Sequence, residues 1–340
     1  MRSIYLNEAY EVELRDLPEP EPGPGEALVR VRAGGICGTD MSTYLNTHFL
    51  RRAPQILGHE VSGELVAVGA GVEGWEPGEA VFVNPLVVCG ECEACRSGHA
   101  TQCRNSQLPG LELAGLFSDL IVMPARSLHR LPPSMNWIQG AMVEPTSVAH
   151  HAVGRAEIAS GQSVAVLGAG PIGALATLIC GHSHGSDLLV ADLKQSNLDL
   201  LERLTGCATA NPAAASVTEV AERHTGGRGF DVVMVANHAE QSLANAVDLL
   251  RPGGRIVAIA AAYEPLPRVN VPILVWRELE MRGTFGFDDD DVRAVIELID
   301  GGLAVEELVT HRHQPEEASA VFAAMGSGEG DHVKTIFEFD

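Results

Sequence analysis

Two textures of hydrophobic and polar positions divide the chain. Over roughly the first 150 residues, short β-rich runs such as 27–32 and 64–68 are separated by segments dense in Gly and Pro. Helical periodicity is scarce there, which predicts a compact all-β lobe. From Gly161 onward, short apolar runs at 163–167, 188–191, 231–235 and 255–260 alternate with helical patterns. That alternation predicts a parallel sheet covered by helices on both faces. After Phe287 the pattern predicts a helix over about 290–300, stopped by Gly301 and Gly302, and a second helix opened by Pro315. The uncharged stretch 161–181 is long enough to suggest a membrane helix, but it opens as a β-run and contains Gly168, Gly170, Pro171 and Gly173. It therefore reads against a membrane span.

Composition narrows the function. A length of 340 residues favours two domains, and 46% hydrophobic with 20% charged residues excludes global disorder. With 45 Asp and Glu against 23 Lys and Arg, the net charge of −22 argues against nucleic acid or an anionic membrane as partner. Small-molecule chemistry moves up. Residues 1–10 lack the apolar run of a secretory signal, so a cytoplasmic location is the expectation. In such a chain the seven cysteines read as metal ligands and core residues before disulfides.

Cys89, Cys92, Cys95 and Cys103 follow the order C-x2-C-x2-C-x7-C within fifteen residues. One loop with that spacing wraps a single tetrahedral ion, and four thiolates suit a closed structural zinc site. An iron–sulfur cluster is the weaker alternative, because Cys103 comes late and is followed by Arg104, not Pro. A second set joins Cys37, His59 and Glu60 in Gly58-His59-Glu60, and Glu144 before Pro145. One thiolate, one imidazole and carboxylates suit catalytic zinc with an open position. One thiolate and one carboxylate around Zn²⁺ sum to zero and leave it Lewis acidic, whereas four thiolates sum to −2 and quench it.

Gly168, Gly170 and Gly173 form G-x-G-x-x-G, with Pro171 and Ile172 between, directly after a predicted strand and at the start of a helix. That context marks a dinucleotide loop whose pyrophosphate rests on a helix N-terminus. Asp192 ends the next strand 19 residues on, where an acid accepts from the adenosine ribose hydroxyls and repels a 2′-phosphate. NAD is therefore the expected cofactor. Lys194 keeps NADP as the alternative. The run Asp288 to Asp291 reads as an acidic helix N-terminus, and Cys180 and Cys207 as helix-side core thiols.

These residues carry a family resemblance. Gly58-His59-Glu60-x2-Gly63-x5-Gly69-x2-Val72 matches the zinc-containing alcohol dehydrogenase signature, and the whole chain resembles a medium-chain dehydrogenase/reductase. Glu144, where alcohol dehydrogenases of the family carry a second Cys, makes it most similar to the sorbitol, threonine and butanediol dehydrogenase branch. The resemblance implies an α/β fold: a GroES-like β-rich catalytic domain (1–150) with two zinc sites, a Rossmann domain with a doubly wound parallel sheet (151–286), and a segment (287–340) returning to the catalytic domain. It implies that Cys37, His59 and Glu144 ligate catalytic zinc, with Glu60 as a neighbouring or exchangeable ligand. Thr39 takes the position of the hydroxyl that accepts the substrate's proton, and Asp40 anchors its loop.

The chain departs from relatives at Ser42, where many have a His that extends the proton relay, leaving His48 as a substitute. Asn237 and His238 replace a common Thr-Gly. Segments 44–50, 113–117 and 285–287 are the expected pocket walls, and 276–285 is expected near a subunit interface of a homodimer or homotetramer. The implied reaction moves a hydride between NAD(H) and a secondary alcohol or ketone, as in a polyol, cyclitol or amino alcohol. Set against it are an NADP(H)-preferring biosynthetic reductase, a zinc-free quinone reductase on the same fold and a non-catalytic NAD(H)-binding sensor. The complete ligand set and intact glycine loop argue against the last two.

Overall fold

The structure, a computed structural model, describes residues 1–48, 50–259, 270–328 and 330–340, with Glu240 described in its backbone alone. It divides into two compact units. One comprises Met1–Glu144, Asp288–Gly302 and Val309–Asp340, the other Pro145–Phe287 and Leu303–Leu308.

In the first unit, β1 (Arg2–Leu6) pairs antiparallel with β2 (Val12–Asp16) and with the short β4 (Gln55–Ile56). The larger sheet is built on β3 (Glu26–Gly35), whose strict alternation buries Ala27, Val29, Val31 and Ala33. Its strand order is β15 (Val309–His313), β16 (Lys334–Glu338), β3, β5 (Glu60–Val68), β6 (Ala80–Val83) and β8 (Leu128–Arg130), with β7 (Leu120–Pro124) pairing β3 off this path. The register places Gly35 opposite Glu60 on one side and opposite Ile336 on the other. Three distant stretches of chain thereby meet at one corner of the sheet. Phe117 packs edge-on against Phe337 beneath it, with ring centroids 5.7 Å apart. Phe117 is fully buried, so the expected pocket wall at 113–117 ends in core. Short helices α1 (Gly38–Tyr44), α2 (Glu93–Arg96) and α3 (Trp137–Ala141) interrupt the strands. The unit boundary falls inside α4 (Val143–Ala156), a helix that the all-β expectation for the first 150 residues did not contain.

The second unit is a six-stranded parallel sheet. Its order is β11 (Ala208–Ala210), β10 (Asp187–Ala191), β9 (Ser163–Leu167), β12 (Phe230–Val235), β13 (Leu250–Ala258), β14 (Glu280–Gly283). Counted from β9 this is 3-2-1-4-5-6, the doubly wound Rossmann arrangement. The strands are connected through α5 (Pro171–Ile179), α6 (Gln195–Thr205), α7 (Val217–Thr225), α8 (Glu240–Leu249) and α9 (Val271–Trp276). β9 and β12 are buried at every position, which is why they read as continuous apolar runs. The end of the expected strand at Ala260 lies outside the described residues, and so does Phe49. Cys207 is buried in the turn between α6 and β11 and not on a helix as expected; Cys180 is buried at the end of α5. Among the described residues no helix is long and apolar enough to cross a membrane.

The tail contributes α10 (Asp289–Asp300) and α11 (Ala318–Ser327). Asp288 caps α10 by accepting from the N–H groups of Asp290 and Asp291, so the acidic run is a helix N-terminus. Pro315 opens a single 3-10 turn that runs into α11.

Candidate active site and metal centres

Cys37 follows β3 and stands at the N-cap of α1. Its N–H donates to Asp40 Oδ2 at 3.0 Å, while Asp40 Oδ1 accepts from the Gly58 N–H at 3.0 Å and lies 3.8 Å from His59 Nδ1. One buried carboxylate thus ties together the two loops that carry Cys37 and His59. Gly58 has φ +89°, and a Cβ there would lie 2.1 Å from the Phe117 ring, so only glycine fits. Ligand atoms of Cys37, His59 and Glu60 all stand within 4.8 Å of one another. Glu144, in the first turn of α4, is buried but outside that close set. Its carboxyl is pushed up to about 7 by burial and by the charge of Glu60, against the pull of His59 and Lys334. Burial opposes the charged form of His59, yet Asp40 and Cys37 together hold its pKa well above the ordinary 6.5. His59 Nδ1 is a buried atom without a hydrogen-bond partner. A thiol, an imidazole and carboxylates crowded in a dry corner fit a divalent cation, which would compensate the acids and order the imidazole.

Lys334, at the start of β16, was not anticipated. It is 1% exposed, donates from Nζ to the Ile36 carbonyl at 2.9 Å, and forms a close ion pair with Glu60 Oε2. Burial opposes its charge, but Glu60 and Cys37 raise its pKa above the usual lysine value. The available signal was composition: Lys194 and Lys334 are the only lysines.

Thr39 is half-buried, and its Oγ1 accepts from Arg51 Nη1 at 3.3 Å. Ser42 turns its hydroxyl to the Thr39 carbonyl at 3.0 Å and does not continue a relay from the Thr39 hydroxyl. His48 accepts the Leu50 and Arg51 N–H groups on Nδ1, at 3.1 and 2.9 Å, and burial together with Arg51 and Arg52 lowers its pKa. It braces its turn as a neutral ring.

The four cysteines converge as their spacing requires. Sγ atoms of Cys89 and Cys95 are 3.9 Å apart, Cys92 and Cys95 3.5 Å, Cys92 and Cys103 3.9 Å, and Cys103 and Cys89 3.6 Å. A tetrahedron with Zn–S bonds of about 2.3 Å has S···S edges of about 3.8 Å, so the cage has the size of a Zn–S₄ centre. Backbone N–H groups of Glu91 and Cys92 bring the Cys89 thiol down to about 6. Desolvation and the neighbouring sulfurs push Cys95 up to about 12.

In the second unit Gly168 has φ +108°, and a Cβ on Gly173 would lie 1.8 Å from the Gly168 carbonyl oxygen. A Cβ on Gly170 would meet nothing within 4 Å, so the fold leaves open the space beside the helix N-terminus. Pro171 occupies the first turn of α5 with Ile172 and Gly173, the turn in which an α-helix leaves its N–H groups without intrahelical partners. Asp192 follows β10 and is fixed by two backbone donors, Ala169 N–H at 2.6 Å and Lys194 N–H at 2.8 Å. Lys194 is exposed at the N-cap of α6. This is a cradle for a phosphate-bearing dinucleotide beside a fixed acid.

A GroES-like lobe with a thiolate, imidazole and carboxylate corner, joined in one chain to a Rossmann sheet, defines an oxidoreductase of the alcohol dehydrogenase type. Residues 23–133 match the alcohol dehydrogenase GroES-like domain and residues 171–301 the zinc-binding dehydrogenase domain. The chain belongs to the zinc-binding alcohol dehydrogenases of the medium-chain dehydrogenase/reductase family. It is 36% identical over 319 residues to 2-dehydro-3-deoxy-L-galactonate 5-dehydrogenase of Pseudoalteromonas atlantica, covering 93% of this chain and 92% of that one. With D-xylulose reductase A of Aspergillus niger it shares 32% identity over 346 residues, 98% of this chain and 95% of that one. A zinc-binding dehydrogenase from Sinorhizobium meliloti 1021, solved with NADP, superimposes with a TM-score of 0.92 at 26% identity, covering 99% and 98% of the two chains.

Proposed function

We propose that this protein is a zinc-dependent dehydrogenase that moves a hydride between NAD(H) and a secondary alcohol or ketone on a polyol-like carbon chain. The observation that carries the reading is the convergence of half-buried Cys37 with buried His59 and Glu60, with Glu144 beside them, at one corner of the first unit's sheet. In this reading Cys37, His59 and one carboxylate, from Glu144 or Glu60, hold the catalytic zinc, and Cys89, Cys92, Cys95 and Cys103 hold a structural one. Zinc in such a ligand set supplies Lewis acidity and lowers the pKa of an alcohol. The chain does the rest. Thr39 takes the substrate's hydroxyl proton only as it releases its own to solvent, to which it is half exposed, while Arg51, which has no acceptor, fixes the Thr39 oxygen and takes no proton. Asp40 keeps Cys37 and His59 in place.

Gly168, Gly170, Pro171, Ile172 and Gly173 cradle the dinucleotide pyrophosphate, and Asp192 receives the adenosine ribose. The two backbone bonds on Asp192 support NAD, because they hold a full negative charge where NADP carries its 2′-phosphate. NADP remains the competing reading on one observation, the exposed cation of Lys194 two residues on. Support for a polyol-like substrate comes from the two relatives, named for a deoxygalactonate and for xylulose. Self-association is part of the proposal: Val271, Val275 and Trp276 are 58%, 73% and 87% exposed, close in sequence to the edge strand β14.

The test is a panel of polyols and matching ketones with NAD(H) and NADP(H), on zinc-loaded and metal-free protein. Zinc-dependent turnover with NAD(H) is expected. Full activity in a metal-free Cys37→Ala protein contradicts the reading.

A further inference from the structure

Arg51 is a buried cation without an acid of its own. The residue is 8% exposed, and its Nε is buried with no hydrogen-bond partner. Its guanidinium makes one hydrogen bond, from Nη1 to Thr39 Oγ1 at 3.3 Å, and among the described residues it forms no ion pair. Asp40 lies in its field, but that carboxylate already accepts from Cys37 N–H and Gly58 N–H and stands 3.8 Å from His59 Nδ1. The turn that carries Arg51 is fixed from several sides. His48 Nδ1 accepts its N–H at 2.9 Å, and Arg52 Nη1 donates to its carbonyl at 2.7 Å. The buried Nε donor is left unspent, which costs the fold free energy that no partner in the chain returns.

We propose that Arg51 recognises an anionic terminus, a carboxylate or a phosphate, on the alcohol substrate, so that acidic polyols are oxidised in preference to neutral ones. This rests on the dehydrogenase reading above, in which Thr39 meets the reacting hydroxyl. The guanidinium lies one hydrogen bond from the Thr39 oxygen and so two from that hydroxyl, a span that brings an anion a few bonds from the carbinol carbon within its reach. Its planar fork matches the oxygens of either anion, and a site that spends buried donors on a substrate group rejects the analogue lacking it.

The experiment compares matched substrates on the zinc-loaded full chain: xylitol, xylonate and xylitol 5-phosphate, and galactitol, galactonate and galactitol 1-phosphate. The acid or phosphate is expected to exceed its neutral counterpart in kcat/KM by at least about 100-fold, and the better of the two identifies the anion. In Arg51→Met both substrates should lose the rate that the fixed Thr39 oxygen supplies, and the ratio should fall to within about threefold, the excess loss on the anionic substrate appearing mainly in KM, with Arg51→Lys recovering part of it. A wild-type ratio within threefold overturns the inference. So does an Arg51→Met protein that loses the same factor on both substrates, because Arg51 would then only brace Thr39. A protein that oxidises none of these compounds with either cofactor defeats the dehydrogenase reading instead. The same ratio, measured as calorimetric binding of xylonate against xylitol to wild type and Arg51→Met, then decides the inference.

Discussion

Replacing Lys334 by Met removes the cation from a pair whose side chains are only 1% and 2% exposed. The stem fits the same space, so the perturbation is electrostatic. It strands the Glu60 carboxylate and deprives the Ile36 carbonyl of a donor at 2.9 Å. Stranding one partner of a buried pair costs about 3–5 kcal/mol, and one net hydrogen bond about 1 kcal/mol. The two losses share a site and do not add fully, so about 4 kcal/mol is the working figure. At 1.36 kcal/mol per decade this is roughly a thousandfold in the opening equilibrium of the corner. Amide hydrogen exchange of metal-free protein reads it directly in peptides from β3, β5 and β16, where Gly35, Glu60 and Ile336 are neighbours. Exchange should rise by two to three orders of magnitude there. Zinc should shrink the effect, because it offers Glu60 another cation. Glu60→Gln combined with Lys334→Met should recover most of the loss, since neither charge is then stranded. A change below about threefold in the metal-free single variant would refute the claim that this pair holds the corner together.

Other outcomes follow from the same geometry. Zinc uptake at the Cys37 corner should release protons, because without metal at neutral pH Glu144, at about 7, is about half protonated and His59, held well above 6.5, carries its extra proton, and both must give protons up to bind it. Zinc affinity should therefore rise with pH through neutrality and fall below it, and calorimetry in buffers of different ionisation enthalpy should count at least one proton; a pH-independent affinity between 6 and 8 contradicts this. Cys92→Ala opens the S₄ cage, so the protein should lose one zinc per chain and become susceptible to proteolysis within 89–103; unchanged zinc content would speak against a structural ion. Asp192→Ala removes a carboxylate that accepts two backbone N–H groups and the repulsion of a 2′-phosphate. The preference for NAD should shift toward NADP by about 10- to 100-fold, at about 1.5–3 kcal/mol for hydrogen bonds to a charged group. An unchanged kcat/KM ratio would leave the discrimination to other residues.

What the sequence disclosed depended on how locally each feature is encoded. The cysteine loop and the glycine loop are short, and their chemistry is set by spacing, so Cys89 to Cys103 and Gly168 to Gly173 are legible in the order of residues alone. Strands β9, β10 and β12 are equally plain because they are buried on both faces and leave an apolar run with sharp ends. The corner around Cys37 is legible only in its ligands. Asp40 reads as a loop anchor, but its link is to Gly58, 18 positions along the chain. Lys334 reaches Glu60 across 274 residues, because β16 returns to lie beside β3. No local pattern carries such a pairing. Ser42 and His48 stand out as departures from a relay, yet only the hydrogen bonds reveal that one caps a turn of α1 and the other braces the turn bearing Arg51. Arg51 itself lies one residue beyond the expected pocket wall, and its burial has no signature in a sequence where Arg is the usual base.

The central claim is that the Cys37, His59 and carboxylate corner makes this chain a zinc-dependent dehydrogenase. Its most direct test is the rate of NADH formation from an accepted polyol as zinc is titrated into metal-free protein, wild type against Cys37→Ala. The account predicts that wild type is silent without metal and gains activity as zinc fills both sites, while Cys37→Ala binds one zinc fewer and stays silent. Equal rates with and without zinc, or a Cys37→Ala protein as active as wild type, would contradict it.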